Sequence, residues 1–127
     1  MNRGWLLIGA LSAAIAVGLG AFGAHGLRGV LTAEMLAVFE TGVRYQMYHA
    51  LALAALGLAG SVRLGRLAQV AGGLFVAGSV CFSGSLYLLT LAGTKGIGLV
   101  TPLGGVLLIA GWLVLAGAAL KAAPGRG

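Results

Sequence analysis

Two histidines, three tyrosines and one cysteine are the side chains of this chain best suited to proton, metal or electron chemistry, and they stand close to a few cations and hydroxyls. Tyr45 and His49 are four residues apart and share one helix face, as do Glu40 and Arg44, with the acid first in the order that favours a helical ion pair. Arg44, Tyr45, Gln46 and His49, together with Ser83, Ser85 and Tyr87, form one candidate cluster, with Lys95, Thr101 and His25 nearby. Cations beside a histidine and hydroxyls suit an anion or a lipid head group, and the histidine can change charge near neutral pH. Two histidines on adjacent helices also raise axial haem ligation. Hydrolytic chemistry is poorly supplied. The chain has no Asp, its two acids are Glu34 and Glu40, no Cys/His pair has ligand spacing, and no Ser lies in a nucleophile elbow. Gly18-x-Gly20 and Gly96-x-Gly98 follow no strand and complete no phosphate loop. No enzyme, metal or cofactor is expected.

The elements that must position these residues are apolar. Four stretches, Trp5–Phe22, Val43–Ala59, Leu67–Leu91 and Pro102–Leu120, fill most of the 127 residues. A span needs about 20 mostly apolar residues to cross a hydrocarbon core about 30 Å thick. Charged residues make up 8% of the chain, against about 25% in soluble domains. The reading is therefore all-α, a single integral membrane domain of four helices covering 1–127, with spans at about 5–25, 43–60, 67–91 and 102–120. The first stretch exceeds the usual signal-peptide core and reads as a retained helix despite Arg3 and the small residues near Phe22. The net charge of +6 is scattered along span ends, which argues for lipid and against nucleic acid.

The cations also set an orientation. With the amino terminus inside, Arg3, Arg63, Arg66, Lys121 and Arg126 fall on one side and Arg28, Arg44 and Lys95 on the other. The richer side should be cytoplasmic, which places both termini there and the protein in a cell inner membrane. Gly60–Arg66 reads as a short basic turn between antiparallel helices. The segment Gly26–Gly42 carries Met35, Leu36 and Phe39 at helical spacing, with Thr32 as N-cap and Glu34 in the first turn. It predicts a short amphipathic helix on the outer surface between spans one and two, or one running straight into the second span. Thr101-Pro102 predicts a cap followed by proline at the first helical position.

Small residues recur every fourth position at Ser12, Ala16, Gly20 and Ala24, and again at Gly73, Ala77, Cys81 and Ser85. Each stripe is a helix contact surface, within the bundle or between copies, and a homo-oligomer is expected. Cys81, alone, is read as a small apolar residue. Four further stretches carry a resemblance: Gly20–Leu27 (GAFGAHGL), Phe39–Leu53 (FETGVRYQMYHALAL), Phe82–Tyr87 (FSGSLY), and Thr101–Gly105 (TPLGG) followed by Gly111-Trp112. On these the chain resembles the YgdD-like family of small bacterial inner-membrane proteins. The resemblance implies a four-helix membrane architecture and no reaction.

Three readings of the polar cluster compete. In one, the residues satisfy each other and hold the helices in register, with His25 on a loop carbonyl and His49 on a serine of the third helix. In the second, Arg44, Lys95 and the amino end of the fourth helix at Thr101–Gly105 bind a small anionic or lipid-like ligand, oriented by Tyr45, Gln46, His49, Ser83, Ser85 and Tyr87. In the third, His25 and His49 hold haem.

Overall fold

The structure of the protein, a computed structural model, describes residues 2–95 and 97–122, and of residues 61–63 the backbone only. Gly96 and Arg126, and the side chain of Arg63, therefore lie outside the described residues. Four helices follow in order: α1 (Arg3–His25), α2 (Ala33–Ala59), α3 (Ser61–Ala92) and α4 (Val100–Lys121). α1, α4 and the Leu64–Ala92 part of α3 are long and apolar enough to cross a membrane.

α2 is more polar over its first turns, but it runs antiparallel beside α1 for the whole length of that helix. The pairing is visible at Leu6 against Gly57, Gly9 against Ala54, Gln46 against Ser12 and Phe39 against Gly23. α2 thus lies alongside α1 over the length of that candidate span. α3 packs on α2 and α4 on α3, each antiparallel to its predecessor.

Close backbone approach makes this packing. A β-carbon at Gly9 would lie 2.5 Å from the Ala54 nitrogen, and one at Gly57 would strike Leu6. On the other flank, Gly104 fits against Phe82, Gly111 against Phe75 and Gly78 against Leu108. Leu53, Leu56, Ala68, Ala71, Phe75 and Leu108 form the buried core between these seams. Helices in lipid gain no hydrophobic drive toward each other, so dispersion across close small-residue seams and interhelical hydrogen bonds must hold them.

Three expectations are corrected. The segment before the second span is no separate surface helix but runs straight into that span, the other form expected of it. Thr32 caps as expected, its Oγ accepting from Met35 N at 3.1 Å, but the helix it starts continues unbroken to Ala59. Phe39 is 0% exposed, wedged between Gly23 and the Tyr87 ring, so the first turns of α2 pack on protein. Thr101 is not a cap either. α4 begins at Val100 after Leu99 with no side-chain cap, which puts Pro102 third in the first turn, where its missing N–H still costs no helical bond. Finally, the Gly73–Ala77 portion of the α3 stripe is exposed, and a β-carbon at Gly73 would meet nothing within 4 Å. The buried α3 face lies one residue away, through Ala68, Ala71, Gly72 and Phe75. Between α2 and α3 the chain turns at Gly60 and again at Gly65, whose φ of 65° breaks the helix before Arg66. Positive φ suits glycine because it has no β-carbon.

Candidate functional site

Gln46 is the hub of the polar cluster. From the middle of α2 its Nε2 donates to the Ser12 carbonyl of α1 at 3.0 Å, with the Ser12 hydroxyl at 3.4 Å. Its Oε1 accepts from the Tyr87 hydroxyl of α3 at 2.6 Å. One amide thus joins three helices. Gly42, one turn earlier on the same face, lets α3 come close: a β-carbon there would sit 2.9 Å from the Tyr87 ring. Ser83 Oγ donates to the Gly42 carbonyl at 2.7 Å.

A second group joins α2 and α3 to α4. His49 is buried, its ring near Phe75 at 5.4 Å, Trp112 at 5.8 Å and, stacked, Tyr45 at 6.4 Å. Nδ1 lies 2.7 Å from the Tyr45 carbonyl, which can only accept, so Nδ1 carries the proton. Nε2 then accepts from Trp112 Nε1 at 3.0 Å. The neutral Nδ1–H tautomer satisfies both nitrogens, and the expected serine partner is replaced by an indole. Nearer the end of the bundle, Ser85 Oγ donates to the Phe82 carbonyl at 2.9 Å and so receives the Thr101 hydroxyl proton, tying α3 to α4. Thr90 returns its hydroxyl to the Leu86 carbonyl of its own helix at 2.8 Å.

The cations stand apart from this network. Arg44 is 66% exposed at its side chain and reaches only Glu40, at 4.0 Å, too loose and wet a pair to contribute much. Lys95 is exposed in the α3–α4 connection, and His25 is exposed in the last turn of α1. Tyr45 is 41% exposed, its ring 4.9 Å from Phe82 and 5.5 Å from Tyr48. The structure therefore brings together Gln46, Ser83 and Tyr87, and separately His49 with Tyr45, and Ser85 with Thr101; Arg44, Lys95 and His25 join none of these. His25 sits at the level of Phe39, ten residues or about 15 Å along α2 from His49. With Nε2 of His49 already taken by Trp112, the paired-histidine haem geometry is not formed. Among the described residues no group of three His, Cys, Asp or Glu could hold a metal ion.

A groove of about 270 Å³ opens on the outside of the bundle, lined by Gln46, Ser79, Val80, Ser83, Gly84 and Tyr87. Its polar atoms turn inward to the hydrogen bonds above, and its walls are apolar. Ser79 Oγ is buried beside it without a partner.

Four contributors escaped the sequence reading: Asn2, Trp5, Gln69 and Trp112. At the opposite end of the bundle, Trp5 Nε1 donates to Gln69 Oε1 at 2.8 Å and Asn2 Oδ1 accepts from Trp5 N at 3.2 Å. Asn2 N also donates to the Gly57 carbonyl at 2.7 Å, so the start of α1 is pinned to both α2 and α3. Trp112 was the other omission. An indole N–H in an apolar span needs a partner, which is the signal that could have flagged both tryptophans.

Fold and site together define a small all-helical membrane protein in which the interior side chains of Gln46, His49 and Tyr87 are hydrogen-bonded between helices. The chain belongs to a family described as a protein of unknown function (DUF423), whose model matches residues 19–105. It is 48% identical over 120 residues to the UPF0382 membrane protein SAB0533 of Staphylococcus aureus, covering 94% of this chain and 97% of that one. It is 46% identical over 119 residues to the UPF0382 membrane protein YwdK of Bacillus subtilis, covering 92% and 96%. No solved structure matches the chain.

Proposed function

We propose that this protein is a structural or assembly component of the cell inner membrane, in which the buried polar residues serve helix packing and no reaction is carried out. The observation behind this reading is Gln46, whose amide is consumed on both sides by Ser12 and Tyr87 while the two cations of the anion-binding alternative face away. The exposed Gly73 and Ala77 of α3 would serve self-association. Both termini would be cytoplasmic, on the cation excess at their end. Within the family, we infer a YgdD-like membership from the resemblance of the motifs Gly20–Leu27, Phe39–Leu53, Phe82–Tyr87 and Thr101–Gly105.

A second reading is favoured by the groove beside Ser79. Apolar walls suit a lipid-like chain rather than a small anion, so any ligand bound there would enter from the bilayer. Native mass spectrometry from phosphatidylcholine nanodiscs separates the two. The structural reading expects no bound mass that depends on the groove, so that the spectra of the unaltered protein and of Val80→Trp are the same. A retained non-protein mass that disappears in Val80→Trp, with folding intact, would replace it with the groove reading.

A further inference from the structure

The two ends of the bundle differ in charge. Among the described residues, the end with the start of α1, the α2–α3 turn and the close of α4 comprises residues 2–5, 60–66 and 121–122, which hold four Lys or Arg and no Asp or Glu. The opposite end, residues 26–44, 92–95 and 97–101, holds three cations and two acids. There Glu40 stands against Arg44. At the first end the side chains of Arg3, Arg66 and Lys121 are all exposed, and no Asp or Glu stands there among the described residues.

Arg3 and Arg66 are also fixed relative to each other. Arg3 is two residues before Trp5 and Arg66 three before Gln69, and these two are joined by a 2.8 Å hydrogen bond. The Trp5 ring closes on Gly72, where a β-carbon would lie 2.7 Å from it. The backbone positions that carry the two arginines are thus held at one α1–α3 junction, beside a tryptophan whose N–H is internally satisfied. Guanidinium forks match phosphate oxygens in pairs.

We propose that this end is a docking surface for anionic phospholipid head groups, with Arg3 and Arg66 as its centre and Lys121 at its edge. The partner is the bilayer leaflet itself. Helix ends place these cations at head-group depth, where a uniform positive field with no Asp or Glu among the described residues has lipid phosphate as its nearest counter-charge. The opposite end, nearly balanced, lacks that preference.

The test is lipid enrichment around the full-length protein in nanodiscs of phosphatidylcholine containing one-fifth phosphatidylglycerol, read by native mass spectrometry of the released complex. Each cation removed near an anionic surface should lower retention about fivefold, so Arg3→Gln with Arg66→Gln should lower retained phosphatidylglycerol about twenty-five-fold. Arg28→Gln with Lys95→Gln should leave it unchanged, and high salt should reproduce the first loss. Unfolding in pure phosphatidylcholine checks that both variants fold; if the Arg3/Arg66 pair fails there, Lys121→Gln alone, with its fivefold loss, carries the test. No preference for phosphatidylglycerol in the unaltered protein, or equal losses from the two ends, overturns the proposal.

Discussion

Replacing Gln46 with leucine tests whether one amide organises the bundle. The substitution keeps the volume and removes the donor to Ser12 and the acceptor of Tyr87. Interhelical hydrogen bonds in lipid average about 0.6 kcal/mol, so two amount to about 1 kcal/mol. The Tyr87 hydroxyl, held against α2 by Phe39 and Gly42, is left without its partner. That stranded group adds about 1–3 kcal/mol, for a total loss of about 2–4 kcal/mol. The double variant Gln46→Leu/Tyr87→Phe removes both polar partners together and should recover the stranded part, ending about 1 kcal/mol below the unaltered protein. Reversible unfolding in mixed micelles, followed by helical circular dichroism, measures all three. If Gln46→Leu unfolds within about 0.5 kcal/mol of the unaltered protein, a change within the range of ordinary surface substitutions, the hub has no energetic weight. A double variant less stable than the single would refute the assignment of the loss to Tyr87.

The glycine seams give a contrast within one residue type. Gly9→Ala meets the Ala54 backbone and should cost about 1–3 kcal/mol, whereas Gly73→Ala points into open space and should stabilise the helix by up to about 1 kcal/mol; the same unfolding assay reads both. Trp112→Phe removes the donor to His49 and should cost about 0.6–1.7 kcal/mol; nitrogen NMR of the unaltered protein should show His49 protonated at Nδ1, and protonation at Nε2 instead would refute the network. Ser85→Ala and Thr101→Val break one shared bond, so their losses should be strongly non-additive in a double-mutant cycle.

Helix number and sites were legible from the apolar runs because in lipid a span must satisfy its own backbone. Residue pairing was less so. An every-fourth-residue stripe says that one face is small: the Ser12–Ala24 stripe meets α2 at Ser12, Ala16 and Gly20, but the closest backbone approaches fall beside it at Gly9 and Gly23, and α3 buries the face next to Gly73 and Ala77. A one-residue shift turns a helix by 100°, and only the neighbour decides which face wins. The depth of His49, Ser83 and Tyr87 suggested one cluster, yet Ser83 and Tyr87 of α3 bond to Gly42 and Gln46 of α2 whereas His49 turns to Trp112 of α4. Arg44 and Lys95 carry charge that water or head groups solvate more cheaply than the interior does, so proximity in sequence to His49 or Tyr87 did not bring them inside.

Three of the interior bonds share a property: Gln46, Ser83 and His49 donate from side chains, but their acceptors are the main-chain oxygens of Ser12, Gly42 and Tyr45. An acceptor of that kind is present whatever amino acid occupies the position. Heritable change can delete these links only from the donor side, and each donor has a single codon to lose. The partner positions are free to drift as far as size allows, which at residue 42 is hardly at all and at residue 45 is a great deal.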